Sequence, residues 1–180
     1  MRCFVAIPLP ETVRDALAVL QEGLPVGRAT PYDNLHLTLA FLGEVPETEL
    51  LAVHEALSAV RGARFTATFE GMDLFGGRQP KILFAAVRRD EALMALHVSV
   101  RTGLAGVGLV LPRERYRPHV TLARFNRAPG RDEAARLGRY LEASALAPVP
   151  GFDAESFALF RSDLGNGPAL HTELAVYPLR

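Results

Sequence analysis

Two stretches of the chain alternate between apolar and polar residues. They are Leu35-His36-Leu37-Thr38-Leu39-Ala40-Phe41-Leu42-Gly43 and Pro118-His119-Val120-Thr121-Leu122-Ala123-Arg124-Phe125. A period of two is that of a strand, so His36 and Thr38 share one face while Leu37 and Leu39 share the other. In the second stretch His119 and Thr121 stand against Val120 and Leu122 in the same way. Around these strands the pattern predicts further elements. Residues 2–7 read as a buried strand carrying Phe4, Val5 and Ile7. Pro10-Glu11 then opens a helix whose stripe is Val13, Leu17, Leu20 and Leu24. Pro46-Glu47 opens a second, with Leu50, Val53, Leu57 and Val60. A strand over 65–75, a Gly76-Gly77 turn and a strand over 81–87 complete this part.

The pattern then restarts. Phe84-Ala85-Ala86-Val87 resembles Phe4-Val5-Ala6-Ile7 at an offset of 80 positions, and His-x-Thr returns after 83. Glu155 to Phe160 matches Glu70 to Phe75 after 85. Helices are expected over 90–104 (Leu93, Leu96, Val100 and Leu104 inward) and 131–142, with strands over 152–160 and 174–179. Near-constant offsets indicate duplication of a strand–helix–strand–helix–strand unit. The expectation is one bilobal α+β domain over 1–180, with repeats at about 1–78 and 79–165 and a final strand within 170–179. Related lobes packed about an approximate two-fold axis would present both His-x-Thr faces to one cleft.

Duplication of a core explains repeated Leu and Val. It does not explain two polar residues in mid-strand, which cost free energy to bury unless satisfied. Imidazole titrates near neutrality, so one copy can act as base while the other acts as acid. Threonine hydroxyls donate to phosphoryl oxygens. Together these groups suit displacement at a phosphodiester. The competing reading is a metal site, but zinc and two-metal centres want Asp, Glu or Cys beside the histidines. Here threonines stand there, so no metal is expected. No Gly-x-Ser-x-Gly, P-loop or dinucleotide fingerprint occurs.

Composition narrows the picture further. Formal net charge is zero, so a nucleic-acid contact must use a local patch. Lys81 is the only lysine; Arg113, Arg115, Arg117, Arg124 and Arg127 flank the second motif as a phosphate-attracting patch or a solvated loop. Cys3 is the lone cysteine, which points to a reducing, cytoplasmic compartment, and no apolar run reaches membrane-spanning length. The start of the chain does not read as a signal peptide. His54 reads as a surface residue and His97 as a packed helix residue. His171 shares its strand face with Glu173, and no spacing recommends it for catalysis. Phe4, Tyr32 and Tyr116 could stack on a base, although Phe4 reads more simply as core.

His36-x-Thr38-Leu39-x-Phe41-Leu42-Gly43 with His119-x-Thr121-Leu122-Ala123-Arg124 resembles the two-histidine phosphoesterase superfamily. The opening Arg2 to Pro10 and the entry Asp33-Asn34-Leu35-His36 fit its RNA 2',3'-cyclic phosphodiesterases, also called 2'-5' RNA ligases. The resemblance runs nearly end to end. It implies two antiparallel sheets lining a central cleft, with helices packed outside. It also implies hydrolysis of an RNA-terminal 2',3'-cyclic phosphate, or of a cyclic nucleotide, to a 2'-phosphate, with reversible 2'-5' joining as a side activity. No cofactor or membrane is implied, and a monomer is expected. By the same resemblance His36 donates the proton to the leaving 3'-oxygen, His119 activates water, and Thr38, Thr121 and Arg124 contact phosphate. Arg124 lies five positions after His119, which in a regular strand faces away from the cleft. Either the strand ends or bulges before it, or Arg124 does something else; its counterpart in the first repeat is Phe41, so the duplication does not support it. The alternatives are an enzyme for another small cyclic phosphate, such as one derived from ADP-ribose, and a non-catalytic RNA-binding module.

Overall fold

The computed structural model describes residues 1–180 apart from Arg78, Glu114, Leu146 and Asn166. In chain order the strands are β1 (Arg2–Pro8), β2 (Arg28–Ala29), β3 (His36–Glu44), β4 (Phe65–Ala67), β5 (Phe69–Phe75), β6 (Ile82–Val87), β7 (His119–Arg124), β8 (Phe152–Ala154), β9 (Ser156–Asp163) and β10 (Leu170–Pro178). The helices are α1 (Glu11–Glu22), α2 (Leu50–Ala59), α3 (Glu91–Gly106) and α4 (Arg131–Ser144). Prolines precede α1 and the short turn of helix before α2, where a missing N–H costs nothing. Asp90 caps α3 by accepting a hydrogen bond from the Ala92 N–H at 2.9 Å.

The α+β architecture is the one expected, and its sheets show how the lobes are joined. The large sheet runs β10-β9-β1-β3-β7-β6-β5, with β2 added alongside β7; β4 and β8 form a separate pair. Its two halves meet where β3 lies antiparallel to β7, through Leu37 opposite Val120. These occupy equivalent positions of the repeats expected from the sequence. Thr66 and Asp153 are the central pair of β4 and β8, where the Thr66 hydroxyl donates to Asp153 Oδ1 at 2.7 Å.

The expected strands over 65–75 and 152–160 each break into two. Phe65–Ala67 pairs with Phe152–Ala154, whereas β5 pairs with β6 and β9 with β1. Thr68, at the first break, gives its carbonyl to the Arg88 N–H at 2.8 Å instead of to a ladder. The last strand of each repeat therefore completes the sheet half begun by the other. This exchange ties the halves together. Val5, Leu37, Leu39, Val120 and Leu122 belong to one apolar core with Leu93, Leu96, Val100 and Leu104 of α3. The opposite face of β3 and β7 is left for the cleft.

Candidate functional site

On the register set by Leu37 and Val120, His36 falls opposite Thr121 and Thr38 opposite His119. The two histidines are then diagonal neighbours on one sheet face, a relation that spaces backbones by about 7–8 Å. Each ring is held alike. His36 Nδ1–H donates to the carbonyl of Asn34 at 2.8 Å, and His119 Nδ1–H donates to that of Arg117 at 2.7 Å. A carbonyl can only accept, so both imidazoles keep the proton on Nδ1 and leave Nε2 free to take or give one.

Both rings rest on aromatic side chains of the adjoining strands. His36 stacks on Phe4 with centroids 4.7 Å apart, and Phe4 stacks on Phe160 at 5.2 Å. His119 meets the edges of Phe75 and Phe84 at 4.9 and 5.3 Å, and those two rings stack at 4.0 Å. Phe84 and Phe75 are the repeat equivalents of Phe4 and Phe160. Phe4 is buried as expected, but it lies beneath His36 and forms part of the support for the site.

Burial, followed by the neighbouring His171, pushes the His36 imidazole down to about 4, against the opposing pull of the Asn34 carbonyl. The His119 imidazole is also lowered, by burial first and then by Arg124 and Arg117, while the Arg117 carbonyl works in the other direction. Thr38 is buried and Thr121 half-buried. Among the described residues neither hydroxyl has a hydrogen-bond partner, so both remain available to a ligand.

The parity problem at Arg124 is resolved by a bulge. On β6, Leu83 pairs with Ala123 and Phe84 with Thr121, so Leu122 is an extra residue in β7 and Arg124 returns to the cleft face. The equivalent bulge occurs in β3, where Val5 pairs with Ala40 and Ala6 with Thr38, leaving Leu39 as the extra residue. It turns Phe41, the counterpart of Arg124, outward to 58% exposure. Each bulged residue's carbonyl is satisfied from behind the sheet. The Leu39 carbonyl accepts from His97 Nδ1 at 2.9 Å, and that of Leu122 accepts from Gln21 Nε2 and the Thr30 N–H, both at 2.8 Å.

His97 is thus the packed helix residue expected. Its ring lies parallel to Tyr116 at 3.8 Å, and the Tyr116 hydroxyl donates to the Thr38 carbonyl at 2.9 Å. Tyr116 accordingly buttresses β3. Tyr32, the other base-stacking candidate, donates to Asp15 at 2.7 Å on the surface.

The cleft comprises two adjoining cavities, of about 360 Å³ beside His36 and about 580 Å³ beside His119. Arg2, Thr38, Phe41, Thr121 and Arg124 line both. Its lining carries Arg2, Arg28, Arg101, Arg115, Arg117 and Arg124, with no carboxylate among the described residues. A chain of zero net charge therefore concentrates its cations here. Among the described residues no group of three or more His, Cys, Asp or Glu side chains is placed to hold a metal ion, and no helix is long and apolar enough to cross a membrane.

Residues 10–166 match the model of the 2'-5' RNA ligase superfamily. The chain belongs to that superfamily. It is 34% identical to the RNA 2',3'-cyclic phosphodiesterase of Thermus thermophilus, over 100% of this chain and 91% of that protein. It is 29% identical to the one from Archaeoglobus fulgidus, over 98% and 99%. A third relative so named, from Geobacillus stearothermophilus, is 30% identical over 98% of this chain but 56% of its own length. Among solved structures, one from Thermus thermophilus superposes with a TM-score of 0.81 at 31% identity, covering 100% of this chain and 98% of that one. E. coli LigT complexed with 3'-AMP shares the fold, with a TM-score of 0.79 at 24% identity over 99% and 97% of the two chains.

One residue of this superfamily member's cleft was not legible in the sequence. His171 of β10 stands edge-on to His36 at 5.4 Å and to Phe4 at 4.8 Å, and lines the cavity beside His36. This corrects the expectation that it is merely a strand residue beside Glu173. β10 has no counterpart in the first repeat, so no duplicated motif marks it. It reaches His36 through the β10–β9–β1 pairings, helped by the Asn34 side-chain amide, which donates to the Ala169 carbonyl at 2.6 Å.

Proposed function

We propose that the chain is a phosphodiesterase that opens RNA-terminal 2',3'-cyclic phosphates, leaving a 2'-phosphate and a 3'-hydroxyl. The observation that carries this reading is the paired geometry: two imidazoles tied through Nδ1, each with a free Nε2, diagonal across one seam with an unpartnered threonine beside each. Water attacks phosphorus as His119 Nε2 takes its proton. The bond from phosphorus to O3' breaks, and His36 Nε2 supplies that oxygen with a proton. Thr38, Thr121 and Arg124 bind the non-bridging oxygens as charge shifts onto them.

Burial favours the neutral form of both imidazoles, so the proton that His36 donates is acquired with the substrate's anion, whose charge favours the imidazolium. An RNA 5'-hydroxyl replacing water would give 2'-5' joining through the same pair. The names of the relatives support this substrate class. A cytoplasmic monomer is proposed with it, since the cleft lies within one chain and the lone Cys3 is a buried free thiol.

The test is incubation with 2',3'-cyclic nucleotides and a cyclic-phosphate RNA in chelator, with the product identified by phosphorus NMR. A 2'-phosphate is expected, with rates in His36→Ala and His119→Ala each lower by roughly 10²–10⁴-fold. A 3'-phosphate, or turnover that needs added metal, would overturn the mechanism.

A further inference from the structure

Three guanidinium groups, those of Arg2, Arg28 and Arg124, line the cavity beside His36, and Arg2 and Arg124 also line the adjoining one. Arg28 of β2 lies directly opposite Arg124 of β7 in the ladder, so both project from one face of adjacent strands. Arg2 of β1 lines the same space. Like charges directly opposite in a sheet are destabilising, and Arg2 and Arg28 contribute, after burial, to holding the Arg124 guanidinium below its usual range. Among the described residues no carboxylate lies within ion-pair distance of the three to relieve this repulsion. Glu44, opposite Arg2 in the β1–β3 register, instead sits 3.4 Å from the N-terminal amine.

The remaining arginines of the cavity beside His119 differ. There Arg117 pairs with Asp73 at 3.0 Å, and Arg101 donates to the carbonyls of Leu111 and Pro112 at 2.9 and 2.6 Å. The backbone also fixes where the arginine cluster sits. Gly27 adopts φ +94°, and a Cβ there would stand 2.9 Å from the Phe125 ring, so the chain enters β2 by a turn that glycine alone allows without strain. β2 is only two residues long, and its pairing with β7 brings Arg28 into the cleft.

We propose that Arg2 and Arg28 form a second phosphate subsite, which takes the phosphodiester one nucleotide upstream of the terminal cyclic phosphate. This rests on the activity proposed above and assigns that site a substrate of at least two nucleotides. Arg124 lies three positions along β7 from Thr121 and lines both cavities, so it bridges the two phosphate positions. The wall beside it, formed by Leu164 and Pro168, offers an apolar surface to the intervening ribose. Guanidinium groups suit this role because their planar fork meets two phosphoryl oxygens at once.

The test compares three substrates: a 2',3'-cyclic mononucleotide, a dinucleotide ending in the same cyclic nucleotide, and that dinucleotide with its internal linkage replaced by an uncharged methylphosphonate. The native protein should favour the charged dinucleotide over both others in kcat/KM by roughly tenfold, the gain typical of a charge-assisted contact. Arg2→Gln and Arg28→Gln should erase most of this preference, mainly through KM, and Arg28→Lys should retain part of it. Equal loss on all three substrates in the variants, or a methylphosphonate that matches the native linkage, would overturn the subsite while leaving the proposed activity standing. Hydrolysis of none of the three by the native protein would overturn that activity and the subsite with it.

Discussion

Leu39 and Leu122 are the extra residues of matching bulges in the two central strands. Each bulge reverses strand parity one step after the threonine, so the residue five positions beyond each histidine returns to the cleft. In one strand that residue is Phe41 and in the other Arg124. The matching bulges thus create two corresponding positions, filled by an aromatic ring and a cation. A substrate with a base and a phosphate at its two ends is itself asymmetric in this way.

The supports behind the bulges should matter to binding as well as to stability. Gln21→Leu removes the side-chain donor to the Leu122 and Thr30 carbonyls. It should cost about 1–3 kcal/mol in thermal or denaturant unfolding. It should also raise KM more than it lowers kcat, because Arg124 and β2 lose their anchor. Tyr116→Phe, which frees the Thr38 carbonyl, should cost about 1 kcal/mol by the same measurement.

Under the proposed mechanism the depressed imidazoles should set the pH dependence of catalysis. The profile of kcat/KM reports the free enzyme, and both histidines titrate there below the usual imidazole value. Its maximum should therefore lie below about pH 6.5. Bound phosphate favours the imidazolium form, so the profile of kcat should lie at higher pH. Calorimetry of inorganic phosphate binding, in buffers of different ionisation enthalpy, should detect net proton uptake. A kcat/KM maximum above about pH 7 would contradict this assignment.

The same burial makes stability depend on pH. The unfolded chain protonates His36 near the ordinary value of 6.5, whereas the folded protein resists until about 4. Between those values the unfolded state binds more protons. This contribution to stability is complete above about pH 6.5 and is lost as pH falls toward 4, amounting to about 3 kcal/mol. Urea unfolding across that range should show the slope, and His36→Phe should flatten it.

His171 should tune His36 without taking part in proton transfer. His171→Phe keeps a ring against Phe4 but removes a charge that disfavours imidazolium at His36. Proton NMR of the His36 Cε1–H should show its titration midpoint move upward, with the kcat/KM maximum following. An unmoved midpoint would show that His171 does not depress it.

Much of this site could be read from the sequence because its signal is local. A period of two placed His36 with Thr38 and His119 with Thr121, and a constant offset near 80 made them copies of one unit. Both are consequences of the pleat and of duplication, and neither needs a partner strand to be known. Arg124 could be read only as a dilemma, since parity opposed it. The bulge that admits it arises between β7 and β6, whose pairing no window of the sequence contains.

Order along the chain was enough to put His36 with Thr38 and His119 with Thr121 on one strand face each, and to show where helices and strands alternate. Steric alternation and helical periodicity act within a few residues, so they are written in the linear pattern. Folding in three dimensions was needed for the exchange of β5 and β9 between the sheet halves, the approach of His171 to His36, and the gathering of Arg2, Arg28 and Arg124 in one cavity of the cleft. Those are contacts between segments far apart in the chain, set by which edges pair and which faces pack, and no local pattern encodes them.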